Sequence, residues 1–452
     1  MIINITNFCK KGNNLNHTLT LNPLLGHPIL ADKVIGSTLW WKSIKKMGTP
    51  FIQKQDQQTC RVIFIWQDPQ GDEIQSDTEN VLLNVNSLTD HHSWTPACLT
   101  RISGTDVWLG ELIVNIKWRG SYSFIPIMAE QLPEIARKKS NGSIEAQRQW
   151  WLDVVNNQRN DPLNPLPSLI SGWGSSSALH LPGAPAELGW NEWDKGIVPE
   201  VSKHVIYPIQ WISAELGNRR ECFIFSTALG DAPLVVLLDG QKWGEASGTL
   251  SVLKHLTKTK KIAPAHYLLI PSLDNKTRWK ELSCHYPFWF SLVCTLLPEV
   301  KIQLAKSYNT VSDYLVAGQS LGGLSALYAG IHFSDYFSKV ITLSGSFWWP
   351  EVDRMKKKIS LNESDESRLY TVPENSLAAQ ILDERVTVES LEVYQTVGLG
   401  EQDMCLYNDL TMKAIQQKGG NVYYEKVSGG HDWLSWRSCL INGLEKLLPS
   451  LY

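Results

Sequence analysis

Val316-Ala317-Gly318-Gln319-Ser320-Leu321-Gly322-Gly323 is the stretch on which the reading of the chain turns. It reads as the end of a buried strand, a sharp turn and the start of a helix. Gly318-Gln319-Ser320-Leu321-Gly322 fits G-x-S-x-G, a turn that lifts a serine hydroxyl off the edge of a sheet. A Cβ at either Gly318 or Gly322 is expected to collide with the neighbouring strand or helix. Tyr314-Leu315-Val316-Ala317 is apolar, as a strand buried on both faces must be. Leu324 to Gly330 is rich in small residues, which lets a helix pack close on a sheet.

Working outward, eight strand candidates follow residue 200: 204–213, 219–227, 234–238, 266–270, 314–317, 339–344, 391–397 and 421–427. The later ones alternate with helical stretches near 249–260, 281–297, 321–332, 405–417 and 433–447. Gly217-Asn218 between the first two strands is a hairpin signal. Strands separated by helices are parallel with right-handed crossovers. The predicted class is α/β: an eight-stranded, mostly parallel sheet with an antiparallel start, the α/β-hydrolase plan. In that plan the serine turn follows the fifth strand, and Ser320 does.

A serine hydroxyl needs a base within hydrogen-bond reach to act as a nucleophile. In this plan the chain order is serine, acid, histidine. His431, in Ser428-Gly429-Gly430-His431-Asp432-Trp433 after the eighth strand, is the candidate base. The acid follows the seventh strand, in Val397-Gly398-Leu399-Gly400-Glu401-Gln402-Asp403. Glu401 is the first choice and Asp403 the alternative; Asp432 reads as a cap of the following helix. Acyl transfer also needs an oxyanion hole. One donor is the N–H of Leu321. The other comes from Leu237-Leu238-Asp239-Gly240-Gln241-Lys242-Trp243, at Gly240, Gln241 or a neighbour. Arg278 and Glu281 either pair with each other at i,i+3 or leave the arginine aimed at an anionic substrate, with Trp279 and Trp289 nearby.

Residues 35–190 look different. Arg61–Trp66, Val81–Asn86, Asp106–Val114 and Ser121–Pro126 are short strand patterns between turn signals, which predict a smaller, Ig-like β-sandwich. A helix over 143–156 and a Pro/Gly/Ser-rich linker follow, and the catalytic domain occupies 200–452. Residues 1–34 read as a poorly ordered extension. The 452 residues carry a net charge of -3, which argues against nucleic-acid binding. No apolar run approaches the roughly 18 residues of a membrane span. The N-terminus lacks signal-peptide order. The 8 cysteines are scattered without C-x-x-C pairs, as in a cytoplasmic protein with reduced thiols. The 19 tryptophans, several near these motifs, offer stacking surfaces for a flat aromatic ligand.

The chain resembles the enterochelin (ferric enterobactin) esterases. The resemblance rests on Leu237-Leu238-Asp239-Gly240, Val316–Ser320, Gly322–Gly330, Ser344-Gly345-Ser346-Phe347-Trp348-Trp349-Pro350 and Gly429–Asp432 in the second half. In the first half it rests on Asp68–Gly71, Thr89–His92, Gly104–Trp108 and Trp118-Arg119-Gly120-Ser121-Tyr122. It covers residues 35–452. It implies hydrolysis of an iron-carrying trilactone of dihydroxybenzoylserine in the cytoplasm, with Ser320, His431 and Glu401 carrying the reaction. A ferric tris-catecholate is an anion with three aromatic rings. Arg119, Arg219, Arg220 and Arg278 are candidates to meet its charge, and Trp243 and Trp349 its rings. Iron then enters bound to the substrate, so neither a cofactor nor a protein metal site is expected. A monomer or weak homo-oligomer without nucleic-acid or membrane partners is the expected state. Two other readings are a serine esterase of another aryl or carbohydrate ester, feruloyl-esterase-like, and a siderophore-binding protein without activity.

Overall fold

The computed structural model describes residues 34–134, 142–171, 174–202, 205–244, 248–351 and 372–449; the extension read over residues 1–34 lies outside them save for its last residue. The chain divides into two units, Met1–Pro185 with Ser428–Leu434, and Ala186–Val427 with Ser435–Tyr452. Seven residues that follow the last strand of the second unit therefore group with the first. The sequence reading assigned them to a continuous catalytic domain, because nothing local marks a return to another unit.

The second unit is built on eight strands: β9 Ile206–Ser213, β10 Asn218–Ser226, β11 Asp231–Leu238, β12 His266–Ile270, β13 Thr310–Gln319, β14 Lys339–Leu343, β15 Glu392–Gly398 and β16 Asn421–Val427. The order in the sheet is β16-β15-β14-β13-β11-β12-β10-β9. Neighbours from β16 to β12 are parallel; β12, β10 and β9 pair antiparallel. In β11 every residue from Ala232 to Leu238 is buried, which explains an apolar run without alternation. Gly217 takes a positive φ of 64° in the turn that joins β9 and β10.

Helices cover this sheet. The one over Leu321–His332 is buried along nearly its whole length, since Gly322, Gly323, Ala326, Ala329 and Gly330 let it lie close. The helical stretch Tyr286–Ala305 is 20 residues long and apolar enough to pass as a membrane span by composition. Half of its most apolar window is buried, and Phe288, Trp289, Leu292 and Val300 belong to the core beneath the sheet. Pro298 and Glu299 interrupt its apolar sequence.

The first unit holds β1 Phe51–Lys54, β2 Thr59–Gln67, β3 Asn80–Val85, β4 Cys98–Arg101, β5 Val107–Asn115, β6 Arg119–Ile127, β7 Leu169–Ser171 and β8 Gly174–His180. The unit is rich in β-structure, as the sequence predicts, and its strands form one hydrogen-bonded succession, β1-β2-β5-β4-β3-β6-β8-β7. Short β4 pairs with β5 on one side and β3 on the other. The two halves share a core that includes Phe64 and Trp108 from one and Leu83, Tyr122 and Leu179 from the other. Beneath it, the Tyr122 hydroxyl and the Thr49 hydroxyl donate to Asp161 at 2.6 and 2.7 Å. Burial holds the Asp161 carboxyl above its ordinary pKa. A helix over Ile144–Val155, capped by the Ser143 hydroxyl, lays Trp150 and Val154 against Leu82 and Ile125.

Candidate active site

Ser320 joins β13 to the helix Leu321–His332 with φ 57° and ψ −121°, a conformation few L-residues adopt. Main chain holds it there. Its N–H donates to Leu343 O at 2.9 Å, and its carbonyl accepts from Leu324 N and Ser346 N at 3.1 Å each. A Cβ on Gly318 would lie 2.3 Å from Gly322 O, so that position requires glycine. Gly322 differs from the expectation: its added Cβ would meet nothing nearer than 3.5 Å. The crowded partner is Gly323, whose Cβ would come within 2.8 Å of Thr342 Oγ1 and 3.1 Å of Gly345 Cα. The Ser320 hydroxyl has the Ser346 hydroxyl 3.5 Å away.

Leu321 opens a 12-residue helix, so its N–H belongs to the first turn, where amides lack intrahelical acceptors. The positive end of the helix dipole lies there too. The loop after β11 approaches β12 closely: a Cβ on Gly240 would stand 2.4 Å from Ile270 N. Asp239, just before it, has φ 53°. The buried Asp239 carboxylate accepts from Arg278 Nε and Nη2, both at 2.7 Å, from the Ser272 hydroxyl at 2.7 Å and from Gln319 Nε2 at 3.3 Å. The Gln241 side-chain carbonyl accepts from Ser272 N at 3.0 Å. This loop is thus tied both to β12 and to the residue before Ser320.

Glu401 ends a short 3-10 turn after β15 and is 8% exposed. Its Oε1 accepts from the N–H of Gly398 at 2.7 Å and from the Ser344 hydroxyl at 2.5 Å. Ser344 in turn accepts from the Trp436 indole N–H at 3.0 Å. Asp403, the alternative acid, opens the helix Asp403–Gln417 in its first turn, where a carboxylate offsets the dipole.

His431 lies in the segment that groups with the first unit. Its N–H donates to the Ser87 hydroxyl at 3.1 Å and its carbonyl accepts from Asn86 Nδ2 at 3.0 Å. The neighbouring Asp432 is 3% exposed. One of its oxygens accepts from Leu434 N at 2.8 Å, the cap read from sequence. The other accepts from Ser121 N at 2.8 Å and the Ser121 hydroxyl at 2.5 Å. Burial raises its pKa, partly offset by these donors and by the imidazole next door.

The arginines sort differently from the sequence reading. Arg220 is buried in β10 and forms an ion pair with Glu281 at 2.5 Å, stacked near Trp211. That overturns both the Arg278–Glu281 pair and the use of Arg220 for ligand, because a buried guanidinium claims the nearest buried carboxylate. Arg119 is 9% exposed and donates to His180 Nδ1 and Pro185 O at 2.9 and 2.5 Å. Arg219 is exposed, and Arg278 keeps 24% of its side chain in solvent. Trp243 is fully buried with its indole N–H on Leu238 O, so it packs the core and is closed to ligand. Trp289 is likewise fully buried. Trp349 is half-buried and forms an aromatic group with Trp279 and Trp348, with ring centroids 5.8 to 6.4 Å apart. Trp349 N donates to Ser346 O, so Trp348 and Trp349 belong to the loop that touches Ser320, while Trp279 stands on the helix Asn275–Leu282.

The sequence reading passed over Asp239 as an anchor, Ser344 and Ser346 beside the serine and acid, and Asn86, Ser87 and Ser121 around the histidine. Ser344, Ser346, Asp239 and Ser121 stood in motifs read for other reasons; Asn86 and Ser87 carry no local signal.

The family model described as "Enterochelin esterase, N-terminal" matches residues 61–190, and "Putative esterase" matches 213–447. An iron(III) enterobactin esterase from Dickeya dadantii is 35% identical over 427 residues, 93% of this chain and 95% of that relative. One from Escherichia coli (strain K12) is 35% identical over 426 residues, 92% of this chain and 98% of the relative. Among solved structures, enterobactin esterase from Shigella flexneri in the presence of enterobactin has a TM-score of 0.75 at 32% identity. That match covers 92% of this chain and 99% of the other. Ferric enterobactin esterase from Salmonella typhimurium gives 0.76 at 32%, covering 90% and 98%.

Proposed function

The chain belongs to the enterochelin esterase family and is an ester hydrolase, and from that premise we propose a substrate and a mechanism: it cleaves the trilactone esters of a ferric catecholate siderophore, with Ser320, His431 and Glu401 as its catalytic residues. The observation that carries the mechanism is the strained serine turn, with φ 57° at Ser320 in a chain matched over nearly its whole length by enterobactin esterases.

In the proposed sequence, His431 takes the Ser320 proton as Oγ attacks a lactone carbonyl. The oxyanion that forms is met by the Leu321 N–H and by a main-chain N–H at Gly240 or Gln241. Collapse breaks the acyl–oxygen bond. His431 returns the proton to the departing hydroxyl, and water, activated the same way, releases the acid from Ser320. Glu401 holds the imidazole in one tautomer and stabilises its cation. Its fixed bonds to Gly398 and Ser344 support that role, because an acid that orients a base must itself be oriented. Arg219 and the exposed part of Arg278 serve the anionic ligand, and the Trp279, Trp348 and Trp349 group receives a catechol ring.

Iron enters as the substrate's cargo. Opening the lactone weakens the chelate, and the release is assigned to the cytoplasm. The scattered cysteines, without C-x-x-C pairs, support a reducing compartment.

The test incubates the protein with the cyclic trilactone, with and without iron, and resolves the products by chromatography. Linear trimer and shorter fragments are expected, and none with Ser320→Ala. Preference for a feruloyl sugar would favour the carbohydrate-ester reading. Tight binding without products would leave a binding protein.

A further inference from the structure

The segment Ser428–Leu434 is fastened at five points to side chains and main chain that precede it by more than 300 residues. Arg119 N donates to Ser428 O at 3.0 Å. Both backbone polar groups of His431 are taken by one turn: Ser87 Oγ accepts its N–H and Asn86 Nδ2 donates to its carbonyl. Ser87 and Asn86 are linked to each other at 2.8 Å, which fixes the pair as one unit. Ser87 has φ 57°, a left-handed turn that turns its hydroxyl toward the loop. Gly430 leaves no room for slack, since a Cβ there would lie 2.4 Å from Ser87 Oγ. On the other side, the buried Asp432 carboxylate spends one oxygen on Ser121 N and Oγ. Asn86 N donates to Ser121 O at 3.0 Å, so both anchors rest on the same β3–β6 pairing.

With the peptide before and after His431 both fixed, its Cα–Cβ direction is fixed as well. Ordinary loop packing does not require a buried carboxylate, which is costly unless fully hydrogen-bonded. Here it has three donors. We infer that the N-terminal unit is the positioning device for the histidine of the reaction, and that Asn86, Ser87, Ser121 and Asp432 are positioning residues. The inference rests on the reading of His431 as general base. It gives this unit a part in turnover separate from any contact with substrate.

The test uses full-length Asp432→Asn, Ser121→Ala, Ser121→Thr, Asn86→Ala, Tyr122→Phe and His431→Ala. Each is assayed for kcat and KM on the cyclic trilactone and on p-nitrophenyl butyrate, and for thermal midpoint. The second ester makes the outcome independent of the siderophore reading. Tyr122 is the control: it neighbours Ser121 on β6, but its hydroxyl serves Asp161 in the core. Tyr122→Phe is expected to lower the midpoint and leave kcat per folded molecule unchanged. Asp432→Asn and Ser121→Ala are expected to lower kcat by about 10- to 100-fold, the scale of a misplacement near 1 Å, with KM within about twofold. Ser121→Thr keeps the hydroxyl and should recover most of the loss; Asn86→Ala should fall between. Wild-type kcat in Asp432→Asn and Ser121→Ala, beside an inactive His431→Ala, would overturn the positioning role alone. So would losses that track the thermal midpoint equally in all variants, Tyr122→Phe included. Turnover by His431→Ala would overturn the base reading and this inference with it.

Discussion

The turn that carries Ser320 and the loop that carries His431 are held by different parts of the chain. Around Ser320 the restraints are main chain: Leu343 O, Leu324 N, Ser346 N, and the glycines at 318 and 323 that allow the approach. Around His431 side chains take the larger part: Asn86, Ser87, and Ser121 acting through Asp432, beside the main-chain donors Arg119 N and Ser121 N. A main-chain scaffold tolerates many side-chain changes but few added Cβ atoms. A side-chain scaffold has the opposite weakness, since one hydroxyl removed loosens it while the backbone stays intact. The nucleophile is thus secured by the fold itself and the proposed base by a few replaceable groups.

The most severe change should be at the nucleophile. Ser320→Ala is expected to lower kcat by about 10⁴-fold or more, with the ligand affinity within about twofold. Tryptophan fluorescence quenching by the ferric siderophore and product chromatography measure the two quantities. Retained turnover would remove the serine from the chemistry. Glu401→Gln comes next, at roughly 10³-fold in kcat, because the amide cannot stabilise an imidazolium as a carboxylate does. Replacing Asp403 by Asn at the helix start should change kcat by less than about threefold. The reverse ranking would move the acid two residues along.

The main-chain side of the comparison is sharpened by its glycines. Gly318→Ala forces a Cβ against Gly322 O and should cost about 3 kcal/mol or prevent folding. Gly322→Ala, with its nearest neighbour at 3.5 Å, should cost less than about 1 kcal/mol in urea unfolding. Equal costs would mean that the motif's second glycine is required for a reason other than space.

That contrast also shows which features a sequence displays. The parallel strands were readable because burial on both faces makes them continuous apolar runs, as Leu234–Leu238 is. Ser320 was readable because its restraints lie within a few residues. The place of Glu401 just past β15 was readable because a strand end locates it. The sequence left two readings of Arg278 open, and the pair with Glu281 fails because Glu281 is claimed by Arg220, 61 residues away. Trp243 was misread because a tryptophan beside a glycine turn looks the same whether it faces a ligand or the core. Asn86 and Ser121 were invisible because their partners lie more than 300 residues on. The link between the two halves of the first unit was not readable, because the strand that makes it, β4, is only four residues long.

Arg278 tests whether the oxyanion loop is held like the nucleophile or like the base. Its guanidinium grips both oxygens of Asp239, which a lysine cannot do. Arg278→Lys should lower kcat about tenfold with little change in KM if the residue works by fixing this loop. A rise in KM at constant kcat would assign it to the ligand.

The smallest effect is expected where neither scaffold is touched. Trp349 belongs to an aromatic group with Trp279, which is 42% exposed, and is itself only half-buried. Its main chain reaches Ser346, and its side chain packs against the edge of the second unit's core. Stacking on a catechol ring is worth about 1 kcal/mol, so Trp349→Ala should raise KM about fivefold and leave kcat within about twofold. A fall in kcat at constant KM would show that the ring braces the loop beside Ser320. The nucleophile would then depend on side-chain packing after all, and the contrast with His431 would be one of degree.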